Sequence, residues 1–302
     1  MNNETSSFKS GFVAVVGRSN VGKSTLINAI IGQKIAIVSP KPQTTRRMQR
    51  GIHTTAHQQF VFCDTPGIHR PRHVLGKSML AAATQALREA DVVLWVVDVS
   101  RWPGDTDVSV ARRLQQDAGE KPLVLAMNKS DRLRPRDVLS HSDAYLSLAA
   151  GGGTSWMLIS ATRGDNIALL LEQIGVALPE GPRFYDADQI TDVRIRDLAG
   201  ELLRESALYY LQREIPHGIG VEVEHFEEQD GAPARVAATI VVERERHKGI
   251  VIGKRGQMLK QIGTRARREL AAMLGEDVYL FTNVKVCPDW RNDLRHVARI
   301  GQ

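Results

Sequence analysis

The stretch Gly17-Arg18-Ser19-Asn20-Val21-Gly22-Lys23-Ser24 constrains this chain more than any other. It follows an apolar run at 12–16 and opens into Thr25-Leu26-Ile27-Asn28-Ala29-Ile30-Ile31, so a buried strand, a glycine turn and a helix start are expected in that order. A polyphosphate needs several backbone N–H groups converging on it, and glycine lets a chain approach that closely and turn that sharply. The helix adds its own free N–H groups and the positive end of its dipole. Lys23 supplies a cation for the outer phosphates, and the Ser24 hydroxyl is placed to ligate a magnesium ion. Gly17, Arg18, Ser19, Asn20, Val21, Gly22, Lys23, Ser24 and Thr25 are therefore the expected phosphate-binding set. The pattern alone chooses neither base nor reaction.

A chain of 302 residues is long for one ordinary domain, and two are expected. No apolar run is long enough to span a bilayer, and the polar start at 1–10 lacks a secretory pattern. Cys63 and Cys287 stand far apart with no zinc or disulfide spacing, which fits a reducing cytoplasm. The net charge is +6, and the stretch 244–268 holds nine Lys or Arg against the single acid Glu245. Such a run is a candidate nucleic-acid surface or simply a solvated helix face.

Three further motifs follow at expected strand ends. A strand pair, 51–55 and 58–62, runs into Asp64-Thr65-Pro66-Gly67. There Asp64 could hold a metal's water shell, and the Gly67 N–H could reach a terminal phosphate. Before it, the proline-containing loop 39–47 offers Thr44 and Thr45, either of which could reach the metal only when the last phosphate is present. A helix is expected at 77–90, a buried strand at 91–98, a helix at 106–117 and a strand at 122–127. That last strand ends in Asn128-Lys129-Ser130-Asp131. Asp131 can accept from the N1–H and exocyclic amine of guanine, which adenine cannot offer; Asn128 shapes the pocket and the Lys129 stem can cover the ring. A strand at 156–159 then reaches Ser160-Ala161, whose backbone could meet the guanine O6, before a helix at 166–177. Ligand groups at successive carboxyl ends of an alternating α/β pattern describe a guanine-nucleotide domain. Ile68 follows Gly67 where many GTPases carry a water-orienting glutamine.

Pro179-Glu180-Gly181-Pro182 reads as a linker. Beyond it a helix at 190–213, a hairpin of strands 220–226 and 234–243, a helix pair, a strand at 278–286 and a helix at 289–300 are expected. Between the paired helices lies Gly253-Lys254-Arg255-Gly256, flanked by apolar residues. Glycines there would bring the backbone against RNA phosphates, with Lys254 and Arg255 neutralising them and Lys248 and Lys260 nearby; this is the KH signature in its type II order.

With both halves read, the chain resembles the Era family of bacterial ribosome-associated GTPases over essentially its whole length. The resemblance rests on Gly-Arg-x-Asn-Val-Gly-Lys-Ser-Thr, Gln-Thr-Thr-Arg, Asp-Thr-Pro-Gly-Ile-His, Asn-Lys-x-Asp and Val-Ile-Gly-x-x-Gly. It implies a P-loop domain at 11–178 with a mixed, mostly parallel sheet flanked by helices, after a polar tail at 1–10. A linker at 179–189 and an α+β KH type II domain with a C-terminal helix at 190–302 follow. It further implies GTP hydrolysis to GDP, binding near the 3′ end of 16S rRNA, a role in 30S subunit maturation and peripheral association with the inner membrane. Thr45 becomes the switch threonine, so Ser24, Thr45 and, through water, Asp64 form the expected magnesium set. Asn20 resembles the asparagine that holds a potassium ion in GTPases lacking the glutamine, and Lys23, Asn20, Thr45 and Gly67 form the expected catalytic group. A monomer is expected. Two other readings stand beside this one: an RNA chaperone that uses nucleotide only as a timer, and a membrane-attached signalling GTPase, against which the lack of a lipidation signal counts. The glycine tract at 149–154 departs from the family pattern.

Overall fold

The computed structural model describes residues 8–41, 44–68, 71, 73–149, 154–229 and 232–300. The glycines at 151–153, residues 42–43 of the threonine loop, His69 and most of the polar tail lie outside them. Two compact units are present, Met1–Ala36 with Arg47–Arg70 and Met79–Asp192, and Ile37–Arg46 with Pro71–Ser78 and Val193–Gln302.

The first unit is built on a six-stranded sheet of order β2-β3-β1-β4-β5-β6. Its strands are β1 (Lys9–Val16), β2 (Gln49–Thr54), β3 (Gln58–Asp64), β4 (Val92–Asp98), β5 (Leu123–Asn128) and β6 (Ser155–Leu158). Only β2 runs antiparallel, against β3; the other pairings are parallel. Parallel strands covered on both faces need apolar residues at every position, which is why 92–97 reads as one unbroken hydrophobic run. Alternate residues of β1 and β4 divide between two cores. Val13, Val15, Leu94 and Val96 join Leu26, Ile27, Leu170 and Ile174 from α1 (Lys23–Ile31) and α5 (Ile167–Ala177). Ala14, Val16, Trp95 and Val97 join residues of α2 (Val74–Glu89), α3 (Asp105–Asp117) and α4 (Val138–Leu148). The loop 17–22 thus follows the carboxyl end of a central strand.

The second unit carries α6 (Ile195–Tyr210), β7 (Gly220–Gln229), β8 (Ala232–Val242), α7 (Glu245–Ile252), α8 (Gln257–Leu274), β9 (Val278–Val286) and α9 (Leu294–Ile300). Its sheet has the order β7-β8-β9, with β7–β8 antiparallel and β8–β9 parallel. Leu203, Ala207, Ile240, Val251, Ile262, Ala266 and Val284 form its main core.

Three local expectations are corrected. The helix expected from 190 begins at Ile195, because the segment before it is spent on the first unit's sheet. The Ile52 N–H donates to Ile190 O, Thr191 bridges Gly51, and Arg50 pairs with Asp192 at 2.8 Å. These tertiary bonds outweigh helix propensity. The helix expected over 289–300 is interrupted: Asp289 takes the left-handed φ of 53°, a single 3₁₀ turn follows at Trp290–Asn292, and α9 starts only at Leu294. The sequence reading gave α4 no element; only Ser142 and Tyr145 of its eleven residues are buried, so it shows no apolar stripe.

Burial pushes the Cys63 thiol up to about 11, while Cys287 is only partly covered. The thiolate, not the thiol, is the nucleophile, so at pH 8 about one Cys63 in a thousand is reactive. Alkylation of the native protein followed by peptide mapping should label Cys287 first, with Cys63 reacting at full rate only after denaturation.

Candidate functional site

The phosphate loop closes around a lysine. Lys23 is buried, and its Nζ donates to the carbonyls of Gly17 at 3.3 Å and Arg18 at 3.2 Å. Burial pulls its ammonium below the ordinary lysine range, and the Asp64 charge pushes back. A polyphosphate placed in the loop would restore that charge. At the head of α1, Ser24 Oγ donates to Asp64 Oδ2 at 2.6 Å. Two oxygen donors so placed suit a hard divalent cation held by one hydroxyl and, through water, one carboxylate. Gly22 has a φ of 103°, and a Cβ there would stand 2.3 Å from Asn128 Nδ2.

The 64–67 motif packs onto the same loop. Thr65 Oγ1 donates to Val15 O at 2.8 Å, and a Cβ on Gly67 would lie 2.6 Å from Ser19 Oγ, so only glycine lets this backbone meet the phosphate loop. Ile68 is buried in the α2 side core, and its N–H donates to Gly17 O at 3.3 Å. Its role is packing.

At the base end one side chain joins two loops. Asn128 Nδ2 donates to Val21 O at 2.8 Å, and Asn128 Oδ1 accepts the Ala161 N–H at 3.0 Å. The Ala161 amide expected at guanine O6 is thus engaged in closing the pocket. Ser160 Oγ donates to Asp131 Oδ1 at 2.7 Å, which aims the carboxylate. Lys129, at a left-handed φ of 66°, lays its Nζ on Asn20 O at 2.7 Å and Asp98 Oδ2 at 2.8 Å.

Asp98 was read from sequence only as a strand end. It is buried and takes Lys129, Ser100 Oγ at 2.6 Å and Arg18 at 3.9 Å. Burial alone would raise its carboxyl, yet hydrogen bonds from Lys129 and Ser100, with the charges of Lys129 and Arg18, hold it below the usual carboxylate range. Arg18 also pairs with Asp107 of α3 at 3.1 Å. The available signal was an acid closing an apolar strand at the ligand edge of the sheet. Thr44 and Thr45, by contrast, belong to the second unit, where Thr44 Oγ1 donates to Lys41 O at 2.7 Å and the Thr44 carbonyl accepts from Arg204 of α6. Among the described residues no group of three or more His, Cys, Asp or Glu could hold a metal.

In the second unit the 253–256 loop stands out between α7 and α8. Gly253 caps α7 at φ 70°, where a Cβ would meet Met258 Cβ at 2.7 Å, and Gly256 begins α8 at φ 76°. Between them Arg255 is held left-handed at φ 51°, and Lys254 and Arg255 are both exposed. Lys260 is exposed one turn along α8, and Lys248 is partly covered on α7. The arrangement projects two cations beside backbone free of bulky side chains.

The chain matches a family described as 50S ribosome-binding GTPase over residues 12–129 and the KH domain over residues 214–291. It is 44% identical to the GTPase Era of Leuconostoc citreum over 98% of this chain and 97% of that one. It is 43% identical to the GTPase Era of Ruminiclostridium cellulolyticum over 98% of each. Two solved structures are similar with a TM-score of 0.91, each covering 97% of this chain and 99% of the other. One is Aquifex aeolicus Era bound to GDP.AlF4-, at 39% identity. The other is Era with MgGDPNP and nucleotides 1506-1542 of 16S ribosomal RNA, at 40%.

Two substitutions separate base reading from loop support. Asp131→Ala should weaken guanine nucleotides by about 100-fold and erase the preference for GTP over ITP, which lacks the exocyclic amine. Asp98→Asn should weaken GTP and ITP alike, by about 10-fold, since it loosens Lys129 and Arg18 without touching the amine. Competition against a fluorescent GDP analogue measures both.

Proposed function

Because the chain belongs to the Era family of GTPases, we propose that it couples GTP hydrolysis in the first unit to binding of the 3′ end of 16S ribosomal RNA, in 30S subunit assembly, through the 253–256 loop. The observation that carries the RNA half is that exposed Lys254–Arg255 corner, with Arg255 held left-handed between two glycines. The solved relative with MgGDPNP and a 16S fragment supports it. Two compact units, one carrying the 17–24 loop and the other the 253–256 loop, suit this division of labour.

Each residue has a role in that reading. Gly17, Ser19, Val21, Gly22 and Thr25 shape the phosphate cradle, and Lys23 neutralises the outer phosphates. Magnesium, held by Ser24 and through water by Asp64, would offset the charge developing on the transferred group. Thr65 and Pro66 deliver the Gly67 N–H to the terminal phosphate, and Thr45 completes the metal set when that phosphate is present. Asp131, aimed by Ser160, reads guanine under the Lys129 stem, while Asn128 and the Ala161 amide bonded to it shape the pocket. Peripheral membrane association is not needed for this reading; among the described residues no helix is long and apolar enough to cross a membrane.

Ile68 is 7% exposed in the core, so the water-orienting role passes elsewhere. Asn20 is exposed at φ 65°, with its carbonyl held by Lys129. In the proposal its amide oxygen is a neutral ligand for a potassium ion beside the phosphates.

Two experiments test these statements. Lys254→Ala with Arg255→Ala should lower affinity for single-stranded 16S 3′-end RNA at least 10-fold by fluorescence anisotropy, leaving RNA-free GTP hydrolysis at the wild-type rate; unchanged affinity would remove the loop from the RNA site. Single-turnover hydrolysis should run at least 10-fold faster in potassium than in sodium, and Asn20→Ala should abolish the difference. Equal wild-type rates in the two salts would end the potassium assignment.

A further inference from the structure

The three-stranded sheet of the second unit has two faces, and only one is accounted for. Inward residues pack on α6, α7 and α8. The outward face is covered at one end, where Val241 is 1% exposed and α9 buries Val297 and Ile300. Arg299 of that helix pairs with Glu222 of β7 at 3.1 Å. Further along, the outward row of the edge strand β9 lies open: Tyr279 is 56% and Phe281 64% exposed, followed by exposed Asn283 and Lys285. Two aromatic rings at i and i+2 of a strand share one face, about 7 Å apart. Leaving both in water costs hydrophobic free energy unless something stacks on them.

The neighbouring charges say what kind of partner fits. Exposed Arg235 of β8 stands in register with Tyr279, and the small Ala237 with Phe281, so the rings are unobstructed. Lys285 lies at one end of the row, and at the other Arg235 stands beside the exposed acids Glu276 and Asp277 that precede the strand. Three acids of β7 are engaged, Glu222 with Arg299, Glu224 with Thr239 at 2.8 Å and Glu227 with His225 at 3.2 Å, while Glu228 is exposed. An aromatic pair flanked by cations on an open sheet suits unpaired bases with their phosphates. The same strand borders the helix that leaves the 253–256 loop, since Gly263 of α8 lies against inward-facing Thr282. A KH loop clamps about four nucleotides, so a longer strand gripped there can continue across β9.

We infer that the outward face of β9, through Tyr279 and Phe281 with Arg235 and Lys285, is a second stacking surface for single-stranded RNA that extends the 253–256 clamp. The inference rests on the reading of that loop as the clamp, and oligonucleotide length separates the two. Full-length Tyr279→Ala/Phe281→Ala protein, with a GTP analogue, is titrated with 16S 3′-end oligonucleotides of about 6 and about 14 residues. Wild-type affinity is expected for the short RNA and at least 10-fold weaker binding for the long one. Tyr279→Phe/Phe281→Tyr, which keeps both rings, is expected to bind both like wild type. Photocrosslinking of 4-thiouridine-substituted long RNA should mark the β9 peptide in wild type. Long-RNA affinity equal to wild type in the alanine variant would overturn the inference and leave the clamp standing. Equal loss for both lengths would also overturn it. If the short RNA does not bind wild type while the long one does and depends on the rings, the clamp reading falls and the stacking surface stands. Unchanged RNA binding with lost association to small subunits would assign the face to a protein and overturn the inference.

Discussion

The nucleotide site depends on one carboxamide. Asn128 bonds the phosphate loop with its nitrogen and the 160–161 loop with its oxygen, so two loops separated by well over a hundred residues answer to one side chain. A buried carboxamide fixed at both ends has no rotamer freedom left, and the pocket is organised before any ligand arrives. Asp98 does the same one layer out. It gathers Lys129 and Arg18, whose other bonds run to the Asn20 carbonyl and to Asp107. Cations that could otherwise fold onto a bound phosphate are thereby held at assigned places.

These supports explain what was legible in the sequence. Strand–turn–helix punctuation and buried apolar runs located β4 and β9 closely and the carboxyl end of β1, because burial on both faces or strict alternation leaves a local signature. The start of β1 at Lys9 lies outside its apolar run. The motif residues expected at phosphate, metal and base were legible because ligand chemistry limits such positions to few residue types. The supports were not, because an ion pair such as Arg18–Asp107 spans 89 positions and leaves no local pattern. The late start of α6 has the same origin: Ile190 and Thr191 look helical, but their hydrogen bonds go to β2, which sequence proximity cannot reveal. In α4 the signal is weak because only Ser142 and Tyr145 are buried, with Leu146 and Leu148 partly covered against the same core.

The RNA loop shows the opposite economy. Gly253, Arg255 and Gly256 all take positive φ within four residues. For the two glycines this is free of steric cost, while Arg255 bears strain of order 1 kcal/mol. That strain presents a cation at a corner where any side chain on Gly253 would collide with Met258. Stability for the corner comes from α7 and α8, whose Val251, Ile262 and Ala266 lie in the same core as Ile240 and Val284 of the sheet. The loop can be strained because the helices that bracket it are not.

Segment Ile37–Arg46 poses the sharper constraint. By sequence 39–47 is a loop whose threonines could reach a metal, yet its residues 39–41 and 44–46 are built into the second unit. Ile37 sits in a core with Leu202 and Val236, and the Val38 N–H bonds Glu205 at 2.8 Å. Buried Arg46 donates to the carbonyls of Ile219 and His217 and lies over the Trp290 ring. Burial, and next the adjacent Arg204 charge, lower its pKa, so the guanidinium is held at a desolvation cost that its carbonyl partners must offset. If Thr45 is to join a metal on nucleotide binding, these bonds must break or be carried along, since Thr45 lies between Arg46 and the carbonyl that Arg204 holds. Thermodynamic reciprocity then applies. Whatever stabilises α6 and its contacts with the segment opposes or assists nucleotide binding by the same free energy with which nucleotide acts on α6. Any effect of nucleotide on this ten-residue loop would therefore be felt first in the hydrogen bonds it makes with α6.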